Sequence, residues 1–194
     1  MNKERKYLMI IPAYNEEESI FDTVTSILNY RKKVDFDLDY VVINDGSTDK
    51  TKQILEDNRF NAVNLVMNLG IGGAVQTGYK YALDHDYDVA VQFDGDGQHD
   101  IESLSDLLEP IRKNEADLVI GSRFVGDVKS EFQTTFMRRF GISVISNLIK
   151  WTTGQRVLDT TSGYRLADKD VIKQNNLLDV TQSSIQNQKQ LFIF

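Results

Sequence analysis

The sequence has no cysteine and only two histidines in 194 residues. The absence of cysteine excludes disulfides, zinc–thiolate sites and thiol nucleophiles, and with only His85 and His99 a nitrogen-rich zinc site is not expected either. A chain without disulfides fits a reducing compartment. We therefore expect a cytoplasmic protein, either free or held at the cytoplasmic face of a membrane.

Long apolar runs and an excess of basic residues are also lacking. No apolar stretch approaches the roughly 20 residues that a membrane-spanning helix needs, and no signal-peptide cleavage pattern precedes the first predicted strand. The formal net charge of -7 argues against a nucleic-acid partner, because binding to a phosphate backbone normally draws on a basic face. A substrate that carries phosphate would therefore need a local cation.

The pattern of apolar residues predicts a single α/β domain. Hydrophobic residues make up 41% of the chain, and no linker rich in proline, glycine or serine divides it. Short apolar runs at residues 7–11, 40–43, 63–67, 89–93 and 118–120 alternate with longer segments of helical periodicity. Because parallel strands need crossover segments, this alternation predicts a mostly parallel sheet with helices on both faces.

Polar residues concentrate where the predicted strands end. Asn15 follows strand one as a candidate cap for the next helix, with Glu18 three residues later to close a capping box. Asp45 follows strand two, where its carboxylate could accept hydrogen bonds from a base or ribose; the alternative is a helix cap or a turn residue. Because the carboxyl ends of parallel strands meet at one edge of a sheet, these turns are predicted to converge on one crevice.

The turn after strand four has the composition of a metal site. Asp94, Asp96 and Gln98 stand two residues apart, and a backbone turn at Gly95 can aim both carboxylates into the crevice. Two carboxylates and an amide oxygen are hard ligands suited to Mg²⁺ or Mn²⁺, which typically keeps some water and is completed by substrate phosphates. The alternative is a solvated acidic loop. Its place after a parallel strand favours the metal site.

A glycine run at residues 70–73 suggests a dinucleotide site, since it follows a strand, opens a helix and has Asp94 about twenty residues later. The fingerprint is incomplete, because Val75 stands where a small residue is required and the acid belongs to an acidic cluster. We therefore interpret Asn68 and the glycines as a place where the backbone approaches a nucleotide or a neighbouring helix. A sugar nucleotidyltransferase ranks lower, since residues 12–15 do not form its glycine-rich loop.

Residues 136–151 are predicted to form a helix with an apolar stripe and arginines near its start. Such a stripe usually belongs to a core, but it could also border an acceptor that carries a phosphate and a lipid tail. Arg123, which ends strand five, could bind phosphate as a fork donor or form a surface ion pair.

Seven segments match one family pattern in its order along the chain: IPAYNEEESI, VVINDGSTDKT, NLGIGGAVQTGY, VQFDGDGQHD, LVIGSRF, MRRFGISVISNLI and LDTTSGYR. On these motifs, which span residues 8–165, the chain resembles the family 2 inverting glycosyltransferases of the GT-A fold. Within that family it is similar to the dolichyl- or polyprenyl-phosphate sugar transferases. The resemblance implies a Rossmann-like sheet and a hexosyltransferase activity.

The resemblance also implies a donor site for a UDP- or GDP-sugar. It assigns contacts with the nucleoside to Pro12, Tyr14, Glu16, Ile43 and Asp45. It assigns the metal and diphosphate to Asp94, Asp96 and Gln98, with Gly95 against the nucleotide.

Four further residues are similar to family residues around the reacting sugar and the acceptor. Arg123 corresponds to the arginine that faces the donor, and Arg139 to the one that meets the acceptor phosphate. Asp159 corresponds to an aspartate near the reacting sugar, and Arg165 closes that element. The resemblance thus implies Asp96, Arg123 and Asp159 as catalytic residues.

The expected acceptor is a polyprenyl phosphate, with peripheral membrane contact. A saccharide acceptor in cell-surface polysaccharide synthesis, or a catalytically silent sugar-nucleotide-binding module, is the alternative. An ionised polyprenyl phosphate needs no strong general base, whereas a sugar hydroxyl would need a carboxylate such as Asp159. We divide the chain into a glycosyltransferase domain, residues 1–165, and a tail, residues 166–194, which does not continue the family pattern and could be a truncated end. The motifs do not predict an oligomeric state.

Overall fold

A computed structural model describes residues 5–94, 101–121, 164–177 and 190–193. Strands and helices alternate over most of these ranges, as the sequence predicts. The helices are α1 (Ile20–Arg31), α2 (Thr51–Asp57), α3 (Gly70–Asp84), α4 (Leu104–Arg112) and α5 (Lys169–Leu177), with a 3-10 turn at Ile101–Ser103 before α4. The strands are β1 (Lys6–Ala13), β2 (Asp37–Asn44), β3 (Ala62–Asn64), β4 (Val89–Gln92), β5 (Leu118–Gly121), β6 (Arg165–Asp168) and β7 (Gln190–Ile193).

The strands form one sheet in the order β3-β2-β1-β4-β6-β5-β7. β1 pairs in parallel with β2 on one side and β4 on the other, and β3 continues the parallel arrangement beyond β2. β6 runs antiparallel between β4 and β5, and β7 runs parallel to β5. Of the described strands, only β6 is therefore reversed, which confirms the predicted mostly parallel sheet.

Helices cover both faces of this sheet, and β1 and β2 are therefore buried on both sides. Met9 and Ile11 of β1 face a core that contains residues of α1, α2 and α4. Leu8 and Ile10, which alternate with them, face a second core that contains residues of α3 and α5. The continuous apolar run of β1 is thus the pattern of a strand buried between two helical layers.

Gly78 allows α3 to approach the sheet closely. A Cβ atom at this position would collide with the Ile10 side chain of β1. Tyr79 and Ala82 of α3 are buried in the same core. The lack of a side chain at position 78 therefore sets the distance between α3 and the central strand.

Three features differ from the expectations for the sequence. β3 ends at Asn64, not at residue 67, and Val66 and Met67 are exposed. β6 and β7 were not predicted. Asn15 does not cap α1: the helix begins at Ile20 after Ser19, and the Asn15 amide oxygen accepts a hydrogen bond from the Thr48 N–H at 2.8 Å.

The helix predicted at 136–151 lies outside the described residues. The proposed domain limits stay a prediction, and the boundary at 165 falls on the first residue of β6. Among the helices that the structure describes, none has the length and apolar character needed to cross a membrane.

Candidate functional site

A cavity of about 390 Å³ opens where β1, β2 and β4 end. In the sheet, β2 lies on one side of β1 and β4 lies on the other, so the strand order reverses direction at β1. The cavity therefore lies at the switch point where open α/β sheets bind ligands. Its volume is in the range of small-molecule sites. The residues that line it are Pro12, Ala13, Tyr14, Glu16, Asp45, Asn68, Gly70, Ile71, Ala74 and Asp94.

Asp45 forms part of the cavity wall although its side chain is almost fully buried, with 3% exposure. Its Oδ1 accepts a hydrogen bond from the Leu69 N–H at 2.7 Å, and its own N–H donates to the Ala13 carbonyl at 2.8 Å. Asp45 does not cap α2: Asp49 Oδ1 instead accepts a bond from the first residue of that helix, Thr51, at 2.9 Å. A helix cap is therefore excluded for Asp45, whereas its bonds to Leu69 and Ala13 are those of a residue that orders the turn.

The end of β1 and the loop after it supply three of the predicted nucleoside contacts to the cavity. Pro12, Tyr14 and Glu16 all line it, and Tyr14 is 47% exposed. The Glu16 carboxylate accepts a hydrogen bond from the Ser19 hydroxyl at 2.6 Å. Ile43, by contrast, is fully buried in the core beneath α3 and is not part of the cavity lining. Its predicted contact with the nucleoside stays a prediction.

The start of α3 forms the opposite wall. Gly70 has a φ of 76°, and its N–H donates to the Asn68 side chain at 2.8 Å, so this left-handed turn brings the chain from β3 into the helix. Ile71 and Ala74 line the cavity one turn apart, and neither was predicted as a site residue. The signal that could have found them is their position at the beginning of a helix that follows a parallel strand.

Asp94 is the one residue of the predicted metal set that the structure describes. It lines the cavity beyond the end of β4, together with Asp45 and Glu16. Within the described ranges, no group of three acidic or histidine side chains is close enough to hold a metal ion. The chemistry nevertheless fits a hard divalent cation, because Asp94 supplies a carboxylate oxygen at the edge where ligands bind. Asp96 and Gln98 would have to complete the set.

Arg165 lies at the same edge because β6 is reversed. It is the first residue of β6, and the register places it opposite Gln92 near the end of β4 and Ile120 near the end of β5. Burial raises the pKa of the nearby Tyr79 hydroxyl, and the positive charge of Arg165 opposes that rise. The structure thus brings Arg165 to the same sheet edge as Asp94.

An apolar surface adjoins the cavity. We call it the 66–71 patch, and it consists of Val66, Met67, Leu69 and Ile71, which are 103%, 65%, 53% and 62% exposed. Residues 60–79, which include the patch, contain no aspartate, glutamate, lysine or arginine. Ile71, the last residue of the patch, also lines the cavity.

Six predicted site residues lie outside the described residues, and their roles stay predictions. They are Gly95, Asp96, Gln98, Arg123, Arg139 and Asp159.

Comparison with known proteins places this architecture in context. Residues 9–175 match the model of the family described as glycosyl transferase family 2. The UDP-N-acetylglucosamine–dolichyl-phosphate N-acetylglucosaminyltransferase of Methanococcus voltae is 32% identical over 85% of this chain and 70% of its own length. The undecaprenyl-phosphate mannosyltransferase of Micrococcus luteus is 35% identical over 89% of this chain and 70% of its own length.

Solved structures show the same fold. Glucosyl-3-phosphoglycerate synthase from Mycobacterium tuberculosis, solved in complex with Mn²⁺, UDP-glucose and phosphoglyceric acid, superposes with a TM-score of 0.64 at 21% identity. The match covers 86% of this chain, which spans only 57% of the length of the synthase. At this level of identity the likeness concerns the fold, and it confirms the predicted α/β architecture of the GT-A type.

Proposed function

Because this chain belongs to glycosyl transferase family 2, we propose that it transfers a sugar from a nucleoside-diphosphate donor to a polyprenyl phosphate. The family predicted from the motifs is thereby confirmed, and its members are glycosyltransferases. The observation that carries the proposal is the cavity at the carboxyl edge, where Asp45 and Asp94 from two strand ends face the same space. A nucleoside diphosphate needs both a polar pocket for its base and ribose and a place for its charged diphosphate.

The two halves of the cavity suit the two halves of such a donor. Asp45 is held by the Leu69 amide near Tyr14 and Glu16, and a carboxylate there can accept hydrogen bonds from ribose hydroxyls or from a base N–H. We assign the nucleoside to this half, with Pro12 as a further contact. We also assign Ile43 to the nucleoside, which it would approach from the core beneath this half of the cavity.

Asp94 marks the half that would receive the diphosphate. A carboxylate alone would repel a diphosphate, so a divalent cation is needed between them. We propose Asp94, Asp96 and Gln98 as its ligands, Mg²⁺ or Mn²⁺ as the ion, and Gly95 as a contact of the nucleotide. When bound, such an ion stabilises the negative charge that develops on the leaving diphosphate. The Mn²⁺ in the Mycobacterium tuberculosis synthase agrees with this choice.

We assign the reacting sugar and the acceptor to the basic residues and to Asp159. Arg123 and Arg165 would face the donor and the transferred sugar, and Arg139 the acceptor phosphate. A phosphate acceptor is already ionised at neutral pH, so attack from the face opposite the leaving group needs no strong base and inverts the anomeric centre. With a saccharide hydroxyl as the acceptor, Asp159 would take the proton.

The polyprenyl acceptor is supported by the names of the relatives and by the 66–71 patch. The Methanococcus voltae and Micrococcus luteus proteins are named for dolichyl and undecaprenyl phosphate. A lipid-borne acceptor brings a membrane surface to the active site, and the patch presents uncharged apolar side chains next to the cavity. Peripheral membrane contact at the cytoplasmic face is part of the proposal.

Transfer is tested by incubating the protein with UDP- and GDP-sugars and MnCl₂, with and without polyprenyl phosphate, and measuring the release of nucleoside diphosphate. We expect release that requires both metal and acceptor, and a loss of at least about 100-fold in Asp94→Ala. Asp84→Ala, at an exposed acid near the other end of α3, is the control and should retain activity. Metal-independent release would contradict the metal assignment, and donor binding without turnover would favour the silent module.

A further inference from the structure

Two loops at the carboxyl edge are joined to each other by hydrogen bonds that run in both directions. The first loop, residues 14–19, follows β1, and the second, residues 45–50, follows β2. The Asn15 N–H donates to Ser47 Oγ at 3.0 Å, and the Thr48 N–H donates back to Asn15 Oδ1 at 2.8 Å. Asn15 therefore bonds the second loop with its backbone and with its side chain.

A second reciprocal pair lies next to the first. The Glu17 N–H donates to Asp49 Oδ2 at 3.0 Å, and the Lys50 N–H donates to Glu17 Oε2 at 2.9 Å. Burial acts to raise the pKa of the Asp49 carboxyl, but hydrogen bonds from Thr51 and from the Glu17 amide outweigh it and lower the pKa below its ordinary value. The carboxylate that the second pair uses is therefore ionised at neutral pH.

These bonds lie beyond the paired residues of β1 and β2. The two strands are already in register over eight residue pairs, from Lys6 opposite Asp37 to Ala13 opposite Asn44. The loops begin beyond the last pair. What the bonds determine is how the two loops stand relative to each other above the sheet.

Asn15 occupies a conformation that suits this task. Its φ is 56°, in the left-handed region that asparagine tolerates better than most residues. Both of its neighbours, Tyr14 and Glu16, line the cavity, whereas Asn15 itself does not. Asp45, which begins the second loop, lines the cavity from the other side.

We propose that Asn15, paired with Ser47 and Thr48, is a positioning residue for the donor nucleoside. It holds Tyr14 and Glu16 of one loop at a fixed separation from Asp45 of the other, so that the nucleoside enters a preformed site. Ligands bind more tightly to loops that are already ordered, because less conformational entropy is lost on binding. This inference rests on the proposed function and adds residues that do not line the cavity.

Three substitutions separate the parts played by the Asn15 side chain and backbone. Asn15→Ala removes the amide oxygen and disfavours the left-handed turn, Asn15→Gly removes the oxygen but permits the turn, and Asn15→Asp keeps an acceptor oxygen. Binding of UDP and GDP with MnCl₂ is measured by calorimetry. For the nucleotide that the unaltered protein binds, we expect the Kd to rise about tenfold in the first two variants, a change of about 1.4 kcal/mol, and to stay within about twofold in Asn15→Asp.

Asn114 provides a matched control. It too has a φ of 56°, and its Oδ1 accepts a hydrogen bond from a residue far away in sequence, Arg5, at 2.6 Å. It follows α4 and precedes β5, so it lies at the opposite edge of the sheet. Asn114→Ala should lower the melting temperature by an amount similar to Asn15→Ala and leave the nucleotide Kd unchanged. A role confined to stability would predict the same result for both residues.

Steady-state kinetics add a second readout. A positioning role predicts that Asn15→Ala raises the KM for the sugar donor while kcat at saturating donor stays within about twofold of the original value. The inference is overturned if Asn15→Ala and Asn15→Gly bind the nucleotide with unchanged Kd, or if Asn114→Ala weakens binding as much as Asn15→Ala. Failure of the unaltered protein to bind either nucleotide would instead overturn the proposed function, and the positioning role with it.

Discussion

Asp45 Oδ1 accepts a hydrogen bond from the backbone N–H of Leu69 at 2.7 Å, across 24 residues of sequence. This bond joins the end of β2 to the loop that leads into α3, and so it links two walls of the cavity. The carboxylate has a second oxygen, and the side chain borders the space where a nucleoside is proposed to bind. The Asp45 side chain therefore holds the two walls together and, in our proposal, also contacts the nucleoside.

Substitutions of Asp45 can separate these two tasks. Asp45→Asn keeps an acceptor oxygen for Leu69 and should cost less than about 1 kcal/mol of the free energy of unfolding, whereas Asp45→Ala leaves the Leu69 N–H without this partner and should cost about 1–3 kcal/mol. Both variants should bind UDP or GDP at least about tenfold more weakly, because both lose the negative charge. Urea unfolding and calorimetry measure the two effects. Wild-type nucleotide affinity in Asp45→Asn would contradict the carboxylate contact.

Two glycines of α3 are predicted to respond in opposite directions to the same substitution. Gly78→Ala places a methyl group against Ile10 of β1 and should lower the free energy of unfolding by about 1–3 kcal/mol. Gly72→Ala meets no atom within 4 Å and should raise it by about 0.5–1 kcal/mol, because alanine favours a helix more than glycine does. Urea unfolding measures the free energy of unfolding of both variants, and each variant serves as the control for the other. Equal effects would contradict the close packing of α3 on β1.

The sequence predicts the part of the fold that rests on long apolar runs. β1, β2 and β4 are buried on both faces, so their residues form runs that are visible without any knowledge of their partners. The convergence of the strand ends follows from the parallel arrangement alone. That convergence indicates that Asp45 and Asp94 lie close together, and the family resemblance adds Pro12, Tyr14 and Glu16. All five line the cavity.

What the sequence does not predict depends on neighbours that are distant along the chain. β6 has only four residues and two charged ends, and its buried centre, Leu166 and Ala167, results from pairing between β4 and β5. The apolar residues Val66 and Met67 resemble the continuation of a strand but are exposed. Asn15 has the sequence context of a helix cap, and only the neighbouring loop shows that its amide oxygen bonds Thr48.

Tyr87 gives a prediction about pH. Its hydroxyl donates to Asp39 Oδ2 at 2.9 Å, and Asp39 also pairs with Arg31 at 2.9 Å. Burial, followed by the hydrogen bond and the negative charge of Asp39, raises the pKa of Tyr87 well above its ordinary value of 10.0. Just above pH 10.0 the unfolded chain loses the Tyr87 proton, whereas the folded chain keeps it. The stability contributed by the hydroxyl is thus present below pH 10 and is lost as the pH rises further.

Tyr87→Phe tests this sign. At about pH 8 we expect the variant to be less stable than the original protein by about 1 kcal/mol, because Asp39 loses one hydrogen bond. At about pH 11 the difference should shrink, because only the original protein still loses stability through the ionisation of this tyrosine in its unfolded state. Urea unfolding of both proteins at the two pH values measures the difference, in which contributions from the other tyrosines cancel. A difference that grows with pH would contradict the assigned pKa direction.

The 66–71 patch gives a prediction about membranes. Replacing Val66 and Met67 together by serine removes two exposed apolar side chains without touching the cavity lining. If the patch contacts a bilayer, binding to phosphatidylcholine vesicles that contain polyprenyl phosphate should weaken at least about tenfold, since each buried side chain of this size contributes about 1.5–3 kcal/mol. The Kd for UDP or GDP with MnCl₂ should not change. Vesicle co-sedimentation and calorimetry measure the two quantities.

Phe21→Ser is the control for this prediction, because Phe21 is a 45% exposed apolar residue of α1 that does not belong to the patch. It should leave vesicle binding within about twofold, since general surface hydrophobicity contributes little compared with a continuous patch. Unchanged vesicle binding by the double serine variant would contradict membrane contact through the patch. Self-association of the original protein that disappears in the double variant would assign the patch to a contact between two copies of the chain, and the acceptor lipid would then have to approach the cavity from another side.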